Sequence, residues 1–289
     1  EPILASEFRY SEPVLGDDTL VIIISQSGET ADTLAATRSA TSLGARTLAI
    51  VNVVGSAISK AASDVIYTWA GPEIAVATTK AYSTQLSVIY LISLYMAQTL
   101  GTLLPEQYDA MVKALVELPD QMEKMLTPEY LEEIRALAEQ YKEHHDVFFI
   151  GRNVDSATCL EGSLKLKEIA YVHSEAYAAG ELKHGPISLI EDNTLVIALA
   201  TVQELFEKTM SNVKEVKARG ANVLGVTTAR NEAEIAKSVD RYLLVPQTHP
   251  VLQPSLNVVP LQIFAYYVAL ARDCDVDKPR NLAKSVTVE

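Results

Sequence analysis

From Thr19 the sequence alternates short β-branched runs with helical patterns, and from Thr194 it does so again in the same order. The first copy reads Thr19 to Ile24, a helix to Leu43, Gly44, Thr47 to Val51, a short helix, Val65 to Thr68 and a long helix from Val76. The second reads Thr194 to Ala200, a helix to Arg219, Gly220, Asn222 to Val226, a short helix around Ile235, Tyr242 to Val245 and a long helix from Val258. Thr194 follows Thr19 by 175 positions, Gly220 follows Gly44 by 176 and Gln262 follows Gln85 by 177, a drift that single-residue loop insertions produce. Strands alternating with helices of this length build parallel sheets through βαβ units. The 289 residues are therefore expected to form two α/β units, each a parallel sheet flanked by helices.

The second copy carries an opening that the first lacks: a strand from Val147 to Ile150, the turn Gly151-Arg152-Asn153 and a helix from about Ala157 to Val172. Only 18 residues precede Thr19, so the first unit is expected to be truncated at its N-terminus, without its opening strand and helix, and the chain to be a fragment of a longer protein. Thr102 to His145, rich in Glu, Lys, Leu and Met at helical spacing, reads as a helical linker. The expected division is 1–101 for the first unit, 102–145 for the linker, 146–273 for the second unit and 274–289 for a C-terminal tail.

Charge narrows the partners. A net charge of −13 and a pI near 4.9 leave no basic footprint for a phosphate backbone, so no nucleic acid is expected and an anionic ligand must be held locally. Cys159 and Cys274 stand far apart with no second ligand at metal spacing, so the reading is buried thiols, no metal and a reducing compartment. The apolar stretch Leu86 to Leu100 is broken by Ser87, Ser93 and Gln98 and falls short of the ~20 residues a span needs, so it reads as a buried helix and no membrane is expected. The start has no basic-then-apolar order of a signal peptide, which makes cytoplasmic the expectation.

Four segments can carry chemistry. Ser25-Gln26-Ser27-Gly28-Glu29-Thr30 joins a strand to a helix, where unpaired backbone N–H groups and the helix dipole favour an anion, and its three hydroxyls suit a phosphate monoester. It matches neither a nucleotide P-loop nor a dinucleotide fingerprint; the plainer reading is that Ser27 or Thr30 caps the helix. Glu161, Lys165 and Glu168, at i, i+4 and i+7, share a helical face and read either as a solvated salt-bridge row or as a general base beside a cation. His184 stands in a turn and could open a sugar ring, or be an ordinary surface histidine. The tail from Lys278 is either a loose end or an extended strap that delivers Lys284 to a site.

Together the Ser25-to-Thr30 turn, the run Glu161-Gly-Ser-Leu-Lys165-Leu-Lys-Glu168, the run Ala176-Tyr-Ala-Ala-Gly-Glu-Leu-Lys-His184-Gly-Pro186 and the tail Pro279-Arg-Asn-Leu-Ala-Lys-Ser-Val-Thr-Val-Glu289 resemble the sugar-isomerase (SIS) half of the glucosamine-6-phosphate synthases, the isomerizing glutamine–fructose-6-phosphate aminotransferases. The resemblance runs from Ala5 to Glu289. It implies two flavodoxin-like SIS subdomains, a homodimer and no cofactor. It further implies that Ser25, Gln26, Ser27 and Thr30 hold the phosphate of fructose 6-phosphate, with Val76, Thr78 and Ala283 near the sugar. Glu168 would move a proton between C1 and C2 with Lys165 assisting, His184 would open the ring from the partner subunit, and Lys284 would meet the open-chain ketone, where a Schiff base is the chemistry expected of a desolvated lysine.

The implied pathway is amino-sugar and cell-wall precursor synthesis, with fructose 6-phosphate, glucose 6-phosphate or glucosamine 6-phosphate as ligand. Two departures stand out. Thr78 is often serine in the family, and the family's substrate-contacting Gly-Thr-Ser-type turn on the opening strand has no counterpart in the first unit. The glutaminase domain of the full-length synthases is absent from these residues, so the chain is expected not to use glutamine. The competing readings are a stand-alone SIS isomerase or deglycase, which the tail does not fit, and a sugar-phosphate-sensing regulatory SIS module, which would need no base.

Overall fold

The computed structural model describes residues 1–287; Val288 and Glu289, the last two residues of the tail motif, lie outside the described residues. The chain divides into two compact units, one made of residues 1–102 with the segment from Asn281, the other of Leu103–Arg280.

The first unit contains α1 (Ala5–Phe8), β1 (Leu20–Ser25), α2 (Ala31–Ser42), β2 (Arg46–Val51), α3 (Ala57–Ala61), β3 (Asp64–Tyr67) and α4 (Lys80–Leu100). Its strands form a parallel sheet in the order β1-β2-β3, with Leu20 opposite Arg46 and Leu48 opposite Asp64. Ile23, Ala49, Val51 and Ile58 close one small core, and Phe8, Ala36 and Ala40 another.

The second unit contains α5 (Pro105–Glu123), α6 (Pro128–Tyr141), β4 (Asp146–Gly151), α7 (Val154–Lys165), a π-helical turn (Leu166–Ala170), β5 (His173–Ala178), β6 (Leu195–Leu199), α8 (Phe206–Lys217), β7 (Asn222–Thr228), α9 (Glu232–Ile235), β8 (Arg241–Val245) and α10 (Gln253–Ala271). Its five strands lie in the order β5-β4-β6-β7-β8, all pairs parallel. Both units are thus parallel sheets flanked by helices, as the alternation of runs predicts.

Register makes the duplication concrete. Leu195 pairs with Asn222 as Leu20 pairs with Arg46, so β1, β2 and β3 are the counterparts of β6, β7 and β8. The second unit opens with two strands, not the single one expected, because His173–Ala178 also joins the sheet, beside β4. β6, paired on both sides, is buried along its whole length. β1 is an edge strand in its own sheet, and Leu20, Ile22 and Ile24 on one of its faces are exposed.

Several expectations about helices need correction. The long helix of the second unit begins at Gln253, not Val258. The long helix of the first unit begins at Lys80, not Val76, and 76–79 is loop. That helix is not buried throughout: Ala81, Val88, Tyr90 and Leu94 face the core while Leu91, Tyr95, Met96 and Leu100 are exposed. Among the described residues, α10 is the one helix long and apolar enough to cross a membrane, and 61% of it is buried inside the protein. It packs on α6 and α7, which explains its apolarity on most sides.

Candidate functional site

The turn after β1 is held by its own hydroxyls. Ser25 Oγ accepts from the Gly28 N–H at 3.1 Å, and Ser27 Oγ accepts from the Glu29 N–H at 3.2 Å. Gly28 takes φ +68°, and a Cβ there would stand 2.1 Å from Ser56 Oγ, so the turn requires glycine. Glu29 reaches back to accept from the Ala57 N–H at 2.9 Å, tying the turn to α3. The capping alternative is not what the structure shows. Thr30 occupies the N-cap of α2 without a side-chain bond to it, and the Ala31 N–H is instead met by the Val286 carbonyl at 3.1 Å.

The tail is therefore a strap. Ser285 Oγ lies 3.1 Å from Ser27 Oγ, and the residue on either side fixes its course. Lys284 Nζ donates to the Ala75 carbonyl at 2.5 Å and lies 3.4 Å from Glu73 Oε2, while Val286 closes the N-terminus of α2. The strap brings the serine turn and the 73–79 loop, which holds Val76 and Thr78, under one segment. Ala283, beside Lys284, is exposed. Glu73 was not singled out from the sequence; its other oxygen accepts from the Thr79 N–H at 2.9 Å, one residue before α4. A lone carboxylate six residues ahead of a helix gives no sequence signal.

The corresponding turn of the second unit is built differently. At the positions equivalent to Gln26 and Ser27 stand Thr201 and Val202, and both backbone N–H groups donate to Asp155 Oδ2, at 2.8 and 3.2 Å. Asp155 Oδ1 also accepts from Thr201 Oγ1 at 2.6 Å and Asn257 Nδ2 at 2.9 Å. Burial pushes this carboxyl above its ordinary pKa, and the four donors offset part of that shift. A buried carboxyl of the chain itself thus occupies the strand-to-helix amides in the second unit.

Also in the second unit, Lys165 is only 2% exposed, with its ammonium 3.3 Å from Glu161 Oε1 and 2.6 Å from Glu168 Oε2. Glu161 is 11% and Glu168 23% exposed, so the row is not a solvated one. The helix widens to a π turn over Leu166–Ala170, and Glu168 rides on that turn as the most accessible member. His184 ends a 3₁₀ turn at Glu181–His184 and is exposed. Cys159 is buried, with its thiol pKa raised by that burial, and Cys274 is half-buried; both are unbridged. Among the described residues no group of three or more His, Cys, Asp or Glu is arranged to hold a metal ion.

The SIS domain family matches residues 1–95 and 140–272. Among curated proteins, the chain is 56% identical over 286 residues to the isomerizing glutamine–fructose-6-phosphate aminotransferase of Clostridium tetani, covering 99% of this chain and 46% of that one. It is 50% identical to the Methanosarcina acetivorans aminotransferase over the same share of each chain. The chain thus spans about half the length of the curated relatives it matches. Among solved structures, the C-terminal domain of glucosamine-fructose-6-phosphate aminotransferase from Francisella tularensis superposes with a TM-score of 0.91 at 35% identity, covering 96% of this chain and 78% of that one. A glucosamine-6-phosphate deaminase from Thermotoga maritima, with a TM-score of 0.72 at 24% identity, shares the fold. The serine turn, the buried Glu-Lys-Glu row and the tail strap are thus the parts of a chain that belongs to the SIS domain family, among the C-terminal isomerase domains of the glutamine–fructose-6-phosphate aminotransferases.

Proposed function

We propose that the chain is a ketose–aldose isomerase acting on fructose 6-phosphate in amino-sugar synthesis, and that a full-length protein joins it to a glutaminase domain. The observation that carries this reading is the burial of Lys165 between two carboxylates, with Glu168 the more accessible of them. A buried ammonium needs a compensating anion, and the two carboxylates supply it while Glu168 keeps the more open side toward a substrate. Glu168 takes the proton from C1 of the open-chain ketose and returns it at C2, while the Lys165 charge stabilises the oxyanion that develops between them.

Ser25, Gln26, Ser27 and Thr30 hold the phosphate, supported by the internal carboxylate that fills the same position in the second unit. Val76, Thr78 and Ala283 flank the sugar, Lys284 forms a reversible Schiff base with the open-chain ketone that water hydrolyses back to the ketone before the C1–C2 proton transfer, and His184 opens the ring from a partner subunit in a homodimer. These are soluble-substrate roles, and the cytoplasm is the compartment that fits them.

Interconversion of fructose 6-phosphate and glucose 6-phosphate, with solvent deuterium read at C2 of the aldose, tests the assignment. Wild type is expected to exchange and turn over, and Glu168→Gln to lose about 10²- to 10⁴-fold. Undiminished exchange in Glu168→Gln would make the row a structural one, whereas no exchange by wild type would return the chain to a sugar-phosphate sensor.

A further inference from the structure

Glu73 is a carboxylate only 4% exposed at its side chain, and such a charge persists only where it is paired. Both its oxygens are engaged within the first unit. Oε1 accepts from the Thr79 N–H at 2.9 Å, at the N-cap of the 21-residue helix α4, where the helix dipole also favours a negative group. Oε2 lies 3.4 Å from Lys284 Nζ, which also donates to the Ala75 carbonyl at 2.5 Å. One buried group thus links the start of a rigid helix to Lys284 on the strap, and the strap itself rests on Ser27 and on α2.

We propose that Glu73 is the positioning residue for Lys284: it fixes the amine over the 73–79 loop and removes the proton that keeps the nitrogen from reacting. This rests on the Lys284 role given above. The ammonium passes one proton to Glu73, its free lone pair adds to the C2 carbonyl carbon, and a carbinolamine forms. The proton on Glu73 then leaves with the hydroxyl as water as the C–N double bond forms, so the ammonium and ketone become a protonated imine and one water.

Ala75, which contributes only a carbonyl, can hold the ammonium but cannot accept its proton, and among the described residues Glu73 is the carboxylate that meets the amine. Lys80, the neighbouring cation, points its Nζ to the Pro72 carbonyl at 2.7 Å and is engaged there.

Borohydride reduction of the protonated imine, followed by peptide mass mapping of Lys284, measures the step, and binding of glucitol 6-phosphate, which has no carbonyl, measures the site separately. With fructose 6-phosphate at saturation, Glu73→Gln, which keeps an acceptor for the Thr79 N–H, is expected to trap more slowly by about 10²-fold, the cost of a misplaced reacting group, with glucitol 6-phosphate affinity within about twofold of wild type. Glu73→Asp, which keeps the charge, is expected to recover part of the rate. Trapping by Glu73→Gln at the wild-type rate, or a loss of trapping and of glucitol 6-phosphate binding together in both variants, overturns the positioning role. Wild type that binds glucitol 6-phosphate but traps no sugar overturns this inference and the Schiff-base role of Lys284 while leaving the isomerase assignment of Glu168 standing. Wild type that binds neither sugar overturns the proposed function and this inference with it.

Discussion

Asp155 Oδ2 accepts the backbone N–H of Thr201 at 2.8 Å, joining the first turn of α7 to the end of β6 across 46 residues. The same oxygen takes the Val202 N–H, and Oδ1 takes Thr201 Oγ1 and Asn257 Nδ2, which in turn carries Gln253 on its own oxygen. The second unit therefore supplies its strand-to-helix amides with an acceptor of its own.

Replacing Asp155 with Ala strands two backbone donors and the Asn257 amide in a buried place. Each such group costs about 1–3 kcal/mol, so Asp155→Ala is expected to lower unfolding stability by roughly 3 kcal/mol or more in urea titration. A loss below about 1 kcal/mol would mean that water or a shifted side chain takes over the donors.

Gly28 presents two separate obstacles to a side chain: left-handed backbone and Ser56 Oγ 2.1 Å from the site of a Cβ. Gly28→Ala is expected to destabilise by about 1–3 kcal/mol and to weaken sugar-phosphate binding. Adding Ser56→Gly removes the collision but not the strain, so the double variant should recover only part of the melting temperature. Full recovery would show that φ at position 28 is not a constraint.

Ser27, proposed above to contact the phosphate, also holds the Glu29 N–H and meets Ser285. Loss of a hydrogen bond to a charged group is worth about 1.5–3 kcal/mol, so Ser27→Ala should raise the KM for fructose 6-phosphate by roughly 10- to 100-fold while kcat changes much less. Unchanged KM would remove Ser27 from the phosphate contacts.

Asp240 links stability to pH. Partial burial is the largest single influence and pushes its pKa up, but Lys217 at 2.7 Å and the Val223 N–H at 2.7 Å together outweigh it, and the net direction is down. A carboxylate with a lowered folded value stabilises the fold above the unfolded pKa, about 3.9, and that contribution fades as pH falls through the lower folded value. Asp240→Asn is therefore expected to lower the melting temperature at pH 7 and to narrow its drop on acidification below pH about 4. A variant whose melting curve parallels wild type down to pH about 2 would contradict the pairing.

Much of this architecture is legible in the runs themselves. β1, β2, β6 and β7 are β-branched and apolar, and Gly44 and Gly220 mark the same helix end in both copies, so the duplication shows at sight. His173–Ala178 escapes because its residues are mostly polar and only Ser174 is fully buried, which is how an edge strand reads. Val76-Ala-Thr-Thr carries helical apolar spacing, yet α4 waits until Lys80 because the Glu73 carboxylate sets its N-terminus through Thr79. The spacing of Glu161, Lys165 and Glu168 is visible, but their burial is not: it depends on α10 packing over the same helix. Asp155 looks like any acidic residue in a first turn until Thr201 and Asn257 come to it from 46 and 102 residues away.

In the proposed function the Ser25-to-Thr30 turn holds the phosphate of a hexose phosphate. A crystal structure of the chain soaked with glucose 6-phosphate tests it most directly. Phosphate density is expected within hydrogen-bond distance of the Ser27 and Thr30 hydroxyls at the N-terminus of α2. Phosphate bound elsewhere while that turn stays unliganded would contradict it.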